Sequence, residues 1–168
     1  SSAEEAYQVL TETGDGQLCD LIIDKAALEA LYAAGKEQTD DVLKLFTELK
    51  IASSNIKIAM RAQRTGKSLE WIQRALAPCD SLDIELLSQA AASNLEEVYD
   101  YLRHTEYEEG INELKQSLSF FERWCENRLI QEIRPQKYNP FTIGPIAAYL
   151  IARDNEIKTV RIILLGKL

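Results

Sequence analysis

The sequence predicts an all-α fold, a multi-helix bundle made of two similar helical units. Helix-forming residues dominate, because only 7 glycines and 4 prolines occur in 168 residues, and they fall at spacings suited to helix ends. Apolar side chains recur every three or four residues, which is the period of an amphipathic helix. No stretch alternates polar and apolar residues for long, so we predict no strand.

The first part of the chain predicts three helices. A short amphipathic stretch, residues 3–13, stops at Gly14. Leucines and isoleucines at three- and four-residue spacing then mark a second helix that ends near Gly35. Thr39 offers an N-cap for a long third helix, and aspartates in its first turn suit the helix dipole. We expect this helix, which ends at Gly66, to be the central helix of its unit.

Shorter helices and one long final helix follow. Thr105 and Glu108, three residues apart, have the capping-box pattern of a helix start. Pro135 is expected to stop the helix before it, and a turn region separates that helix from the last one. The helices predicted here are 68–77, 82–92, 94–103, one capped by Thr105, 118–133 and 146–165.

An internal repeat is the most informative feature of the sequence. Residues 55–67 read N-I-K-I-A-M-R-A-Q-R-T-G-K, and residues 155–167 read N-E-I-K-T-V-R-I-I-L-L-G-K. A weaker match pairs residues 20–31 with residues 121–129. Because each copy is a long helix after an amphipathic partner helix and a loop, we interpret the repeat as a duplication. The matching pairs are Asn55 and Asn155, Arg61 and Arg161, Gly66 and Gly166, and Lys67 and Lys167.

The repeat predicts two units, residues 1–103 and residues 104–168. The first unit continues far beyond Lys67, whereas the second ends one residue after Lys167, so we expect the second to lack its last helices. The sequence also lacks an initiator methionine, and we expect a fragment of a longer protein. An uncovered apolar end makes self-association of the fragment possible. The side chains concerned are Ile162, Ile163, Leu164, Leu165 and Leu168.

Composition argues against several classes of function. The net charge of -8 would repel a polyanion, so we expect no nucleic-acid binding. The longest uncharged stretch, residues 138–152, is broken by two prolines and a glycine. It is too short to cross a bilayer, which takes about 20 apolar residues, so we expect no direct membrane insertion. Three widely separated cysteines indicate reduced thiols in a cytoplasmic protein.

Three phrases of the sequence resemble the C (or d) subunit family of V-type ATPases. They are G-D-G-Q-L-C-D-L-I-I-D-K-A at 14–26, the first repeat copy at 55–67, and A-A-Y-L-I-A-R-D-N-E-I-K-T-V-R-I-I-L-L-G-K at 147–167. The last is the most specific, because its Y-L-x-x-x-x-x-E-I-x-x-x-R order follows the C-terminal signature of the family. The resemblance covers essentially the whole chain and is nearest to the bacterial or archaeal branch.

The resemblance implies a place in a rotary, ion-transporting ATPase. Members of this family are funnels of three similar helical domains, of which this chain would cover most of the second and part of the third. The implied function is that of a non-catalytic central-stalk (rotor) subunit without a cofactor. It would link the central axle to the membrane rotor ring and transmit torque for ATP-coupled proton or sodium transport. Its implied location is cytoplasmic, with the ATPase complex holding it at the membrane.

The repeated polar residues allow two interpretations. An asparagine and an arginine on an otherwise apolar helix can join neighbouring helices through buried hydrogen bonds. Alternatively, Arg61 and Arg161 contact the axle, since the forked donors of a guanidinium suit carboxylates and helix C-termini. Glu156 and Lys158 are further candidate contacts with a partner. We expect the other repeat residues to be structural, namely Asn55, Gly66, Lys67, Asn155, Gly166 and Lys167.

The sequence offers no constellation for catalysis, a cofactor or a metal. Gly66-Lys67-Ser68 resembles the end of a phosphate-binding loop, but such a loop needs glycine where this chain has Arg61, and it follows a strand. We interpret this glycine as a helix stop. His104 is the only histidine, so a typical zinc site lacks ligands. The clustered glutamates after it have no evident nucleophile or metal to act with.

Two other classes of function remain as alternatives. A generic helical-repeat scaffold with another client protein would share the fold but not the C-terminal signature. A small helical enzyme would need a catalytic constellation, and binding of a nucleotide or metal by the purified chain would favour it.

Overall fold

All regular secondary structure is helical in the computed structural model, which describes residues 2–13, 16–138 and 141–165. This confirms the predicted all-α fold. Two 3₁₀ segments, Glu108–Gly110 and Arg134–Tyr138, join the α-helices. The α-helices are α1 Ser2–Thr13, α2 Gly16–Lys36, α3 Asp41–Arg64, α4 Leu69–Ala75, α5 Ile84–Ser93, α6 Leu95–Leu102, α7 Ile111–Gln116, α8 Leu118–Ile133 and α9 Gly144–Leu165.

Helix α3 is the centre of the bundle. It packs against α2, α4, α5, α6, α8 and α9, so most of the other helices contact it directly. Its apolar side chains at Ile56, Ala59 and Met60 are completely buried. The hydrophobic core continues from α3 through Leu102 of α6 and Phe121 of α8, across both predicted units. The division into residues 1–103 and 104–168 stays a prediction.

The N-cap of α3 is Asp40, not the predicted Thr39. The Asp40 backbone is extended, and its Oδ1 accepts hydrogen bonds from the backbone N–H groups of Val42 at 3.0 Å and Leu43 at 3.3 Å. Both residue types are good caps, but the carboxylate also places a negative charge at the positive end of the helix dipole. The prediction was therefore wrong by one residue.

The capping box predicted at Thr105 and Glu108 is also wrong. The Thr105 hydroxyl accepts a hydrogen bond from the Tyr107 N–H at 3.2 Å within a turn, and a 3₁₀ segment follows instead of an α-helix. Helix α7 starts only at Ile111 and has no side-chain cap. Tertiary packing explains the difference, because the turn buries the Tyr107 side chain completely in the core.

Arg128 of α8 binds the turn that contains Glu106 and Tyr107. Its guanidinium donates a 2.8 Å hydrogen bond to the Glu106 carbonyl and forms an ion pair with the Glu106 carboxylate. The same guanidinium lies over two aromatic rings, 5.6 Å from the ring centre of Tyr107 and 5.7 Å from that of Trp124. Arginine suits this position, since its flat cation can stack on rings while its edge donates hydrogen bonds.

Gly110 lets the turn approach α8 closely. A Cβ atom at this position would lie 2.7 Å from Trp124 Cε3 and 3.0 Å from Phe121 Cε2. The backbone φ of -82° is open to any residue, so the requirement for glycine is one of space.

We predict that Gly110→Ala lowers the free energy of unfolding by about 1–3 kcal/mol, because the added methyl group overpacks this contact. Urea unfolding followed by circular dichroism would measure the change. Gly16→Ala is the matched control, since nothing lies within 4 Å of a Cβ there. The control should be neutral or stabilising by up to about 1 kcal/mol. Equal stability of Gly110→Ala and the wild type would contradict the packing described.

Candidate partner-binding surface

Asn55, the first residue of the first repeat copy, is completely buried in α3. Its side chain binds both polar groups of the Ala77 backbone: Nδ2 donates to the carbonyl at 2.8 Å, and Oδ1 accepts from the N–H at 3.0 Å. Ala77 lies in residues 76–83, the connection between α4 and α5, where no helical neighbour pairs with these groups. One amide side chain therefore satisfies a buried backbone and fixes the connection on α3.

Glu48 holds the same connection two helical turns earlier on α3. Its Oε1 accepts hydrogen bonds from the N–H of Asp80 at 2.9 Å, the N–H of Ser81 at 2.7 Å and the Ser81 hydroxyl at 2.6 Å. The Ser81 hydroxyl also lies 2.9 Å from the Tyr107 hydroxyl, and burial raises the pKa of Tyr107. Polar contacts thus run from α3 through the connection to the turn before α7.

Gly66 and Lys67 end α3 in a Schellman motif. Gly66 has a φ of 64°, the left-handed region that favours glycine. Its N–H donates to Gln63 O at 3.1 Å, and the Lys67 N–H donates to Ala62 O at 3.0 Å. The Lys67 ammonium lies 5.1 Å from the ring centre of Trp71. The counterparts in the second copy, Gly166 and Lys167, lie outside the described residues.

Asn155 has different surroundings from Asn55. It is half-buried in α9 and lines a groove between α8 and α9. Among the described residues no hydrogen bond to its side chain occurs, although its backbone carbonyl accepts one from the Thr159 hydroxyl at 2.9 Å. Within the described residues, Asn155 therefore has no counterpart of the two hydrogen bonds that the Asn55 side chain forms with the Ala77 backbone.

Lys158 joins α9 to α8. Its Nζ lies 2.7 Å from Asp154 Oδ2 on the same helix and 3.5 Å from Glu126 Oε1 on α8. The hydrogen bond with Asp154 raises the pKa of Lys158 above its ordinary value. Lys50 of α3 is close by, and burial, followed by repulsion from Lys158, lowers the pKa of Lys50. Glu156 forms an ion pair with Arg153 on the surface of α9.

Arg61 and Arg161 are both exposed to solvent. Neither forms an ion pair with a carboxylate within the described part of the chain. Arg161 lines the α8–α9 groove together with Asn155 and Lys158, whereas Arg61 lies on α3 outside that groove. The predicted contact of Arg61, Arg161, Glu156 and Lys158 with a partner stays a prediction.

The outer side of α9 carries an apolar seam that the sequence analysis missed. The apolar side chains of the seam, which are named at the end of this paragraph, are between 53% and 63% exposed, and Arg153 lies between Leu150 and Ile157 along the same line. When Arg153 is counted with them, the spacing alternates between four and three residues, as in the contact seam of a coiled coil, and this spacing was visible in the sequence. The expected exposure of the apolar end is found for Ile162, Ile163 and Leu164, while the side chains of Leu165 and Leu168 are not among those described. The seam consists of Ile146, Leu150, Ile157, Val160 and Leu164.

Two further classes of site were sought in residues 2–13, 16–138 and 141–165. None of the helices there is both long enough and apolar enough to span a bilayer. No group of three or more His, Cys, Asp or Glu side chains in these ranges could hold a metal ion. The exposed His104 borders a shallow pocket with Glu97 and Asp100.

Similarity to known proteins covers the full sequence. Residues 1–168 match the profile of the family described as ATP synthase (C/AC39) subunit, which confirms the family that the three phrases of the sequence resemble. No solved structure matches the chain.

Several curated relatives are named as the C subunit of an A-type ATP synthase. That of Methanocaldococcus jannaschii is 25% identical over 162 residues, covering 89% of this chain and 40% of the relative. That of Methanothermobacter thermautotrophicus is 25% identical over 178 residues, covering 98% of this chain and 46% of the relative. That of a Desulfurococcus species is 26% identical over 138 residues, covering 79% of this chain and 37% of the relative. The chain thus spans less than half the length of these relatives.

We predict that Asn55→Ala lowers the free energy of unfolding by about 2–4 kcal/mol, because it leaves the buried N–H and C=O of Ala77 without partners. Thermal and urea unfolding would measure the loss. Asn155→Ala is the control within the repeat and should change stability by less than about 0.5 kcal/mol, since its side chain is half-exposed. Similar losses in the two variants would mean that Asn155 has an equivalent structural contact.

Proposed function

Because the chain belongs to the ATP synthase (C/AC39) subunit family, we propose that it is a non-catalytic central-stalk subunit of a V-type ATPase or ATP synthase. In this proposal it links the central axle to the membrane rotor ring and transmits torque for ATP-coupled proton or sodium transport. The observation that carries the proposal is the family match over residues 1–168. The names of the curated relatives, C subunits of A-type ATP synthases, support it.

The packing of the bundle suits a part that transmits torque. A close-packed interior deforms little under load, so a force applied at one helix reaches the others. Helix α3 contacts most of the other helices, and Glu48 and Asn55 bind the α4–α5 connection to it. These contacts support a mechanical function, because they leave few joints at which the bundle could bend.

The proposed partners are the central-axle subunits on one side and the membrane rotor ring on the other. The proposed location is cytoplasmic, where the complex holds the chain at the membrane. Positively charged residues are concentrated in the cytoplasmic loops of membrane proteins, and such loops on the ring would attract a chain with a net charge of -8.

Arg61 and Arg161 are the proposed contacts with the axle, together with Glu156 and Lys158. The two arginines are exposed and are free of carboxylates among the described residues, so their guanidinium groups are available for acidic side chains or helix C-termini of a partner. Lys158 already binds Asp154 and Glu126, so a partner would have to compete with these contacts.

We predict that the double variant Arg61→Ala, Arg161→Ala binds the purified central-axle dimer about 5- to 100-fold more weakly than the wild-type chain, as expected for the loss of arginine contacts at an interface. Isothermal titration calorimetry would measure the affinity. The melting temperature should stay nearly unchanged, because both side chains are exposed.

The control for this experiment is Arg74→Ala, an exposed arginine on α4, which should bind like the wild type. A large fall in melting temperature of the double variant would favour a structural function for the two arginines. Binding by the intact parent subunit alone would mean that the complete funnel is needed for the contact. Failure of both this chain and the parent subunit to bind the axle dimer would contradict the stalk assignment and favour a helical scaffold with another client.

A further inference from the structure

The corner between α8 and α9, residues 134–143, carries the most exposed aromatic side chains among the described residues. Phe141 is 95% exposed and Tyr138 is 76% exposed. Ile143, which directly precedes α9, is exposed as well. Apolar surface gains free energy when it leaves water, so three large side chains at one corner indicate a contact surface.

The charge of this segment is opposite in sign to that of the chain. The chain has a net charge of -8, but residues 133–153 contain three basic residues and none of the 27 acidic ones. Arg153 pairs with Glu156 on α9, whereas the exposed Arg134 forms no ion pair among the described residues. The corner therefore suits a partner that offers both negative charge and an apolar phase.

The first copy of the repeat indicates that exposure belongs to this position in the fold. The matching corner, residues 37–41, joins α2 to α3, and the side chains of Glu37, Thr39 and Asp41 are exposed although α4 and α5 follow. The α8–α9 corner also lies at the first turn of the 22-residue helix α9, about 30 Å from Leu165 at the other end of that helix.

The two corners differ in their chemistry. Residues 37–41 read E-Q-T-D-D, with three carboxylates and no cation, whereas residues 137–141 read K-Y-N-P-F, with one lysine and two aromatic side chains. A polar, acidic corner favours water. Aromatic side chains together with cations favour the boundary between water and lipid, where aromatic rings lie at the level of the headgroups and cations attract anionic lipids.

The size of the corner favours a lipid surface over a protein. A specific protein interface takes about 20 residues from each side, which is more than the whole corner. A lipid surface has no fixed shape, so a few apolar side chains can enter it without a matching pocket. Such a contact is peripheral, in agreement with the absence of a bilayer-spanning helix from the described part of the chain.

We propose that the α8–α9 corner is a peripheral contact site for the surface of a bilayer that contains anionic lipids. Phe141, Tyr138 and Ile143 enter the headgroup region, and the basic residues of the corner bind the anionic headgroups. The proposal does not rest on the stalk assignment, because the exposure, charge and chemistry of the corner support it.

Co-sedimentation with phosphatidylcholine vesicles, with and without phosphatidylglycerol, tests the proposal. We expect the wild-type chain to bind the vesicles that contain phosphatidylglycerol more strongly, and added salt to weaken this binding. Phe141→Asp should lower the partition coefficient by about ten-fold or more, because the phenyl ring no longer leaves water. Arg134→Gln should lower it by about five-fold, the effect of one basic residue at an anionic surface.

Tyr7→Asp is the matched control. It replaces an exposed aromatic side chain on α1 and changes the net charge by the same amount as Phe141→Asp, so it should bind like the wild type. NMR of the labelled chain with nanodiscs of the same lipids gives a second readout that also detects weak binding. The resonances of Phe141 and Ile143 should broaden more than that of Asp41 in the matching corner.

Several results would overturn the proposal. They are equal partition coefficients of Phe141→Asp and Tyr7→Asp, equal binding to vesicles with and without phosphatidylglycerol, and the absence of selective broadening at Phe141. If Phe141→Asp binds vesicles like the wild type but no longer binds the purified rotor ring, the corner is a protein contact instead.

Discussion

The two hydrogen bonds between the Asn55 side chain and the Ala77 backbone constrain much of the structure. A buried amide that lost them would keep only the 3.5 Å contact of its Nδ2 with Cys79 Sγ, which lies in the same connection, so the connection between α4 and α5 has one position on α3. That position places α4 against α2 and α3, and α5 against α3 and α4. The packing of apolar side chains contributes most of the stability, but this polar pair selects one arrangement of the helices.

The same connection also links α3 to the turn before α7. Glu48 binds the N–H groups of Asp80 and Ser81, and the Ser81 hydroxyl meets that of Tyr107. Arg128 of α8 then lies over the Tyr107 ring. These contacts follow one another from α3 to α8 through residues far apart in sequence. Tyr107 therefore contacts residues of both predicted units, Ser81 in the first and Arg128 in the second.

Local signals predicted the helices well, and tertiary contacts account for most of what they missed. Helix α8 has the predicted bounds, and α3 ends near Gly66 because a left-handed glycine stops it. The predicted cap at Thr105 is wrong because burial of Tyr107 outweighs a local capping pattern. The repeat singled out Asn55 and Asn155 but not their different surroundings. A partner such as Ala77 becomes a neighbour only when the bundle has formed, and no local pattern encodes it.

The chain has two tryptophans, and each of the two predicted units contains one. Trp71 of α4 lies beneath the Lys67 ammonium, whereas Trp124 of α8 stacks on Phe121 with ring centres 5.8 Å apart. Since a cation or a stacked ring alters indole fluorescence, the emission of each single-tryptophan variant reports on a different region. Coincident denaturation curves for the two reporters would mark a single cooperative unit, and separate curves would mark two.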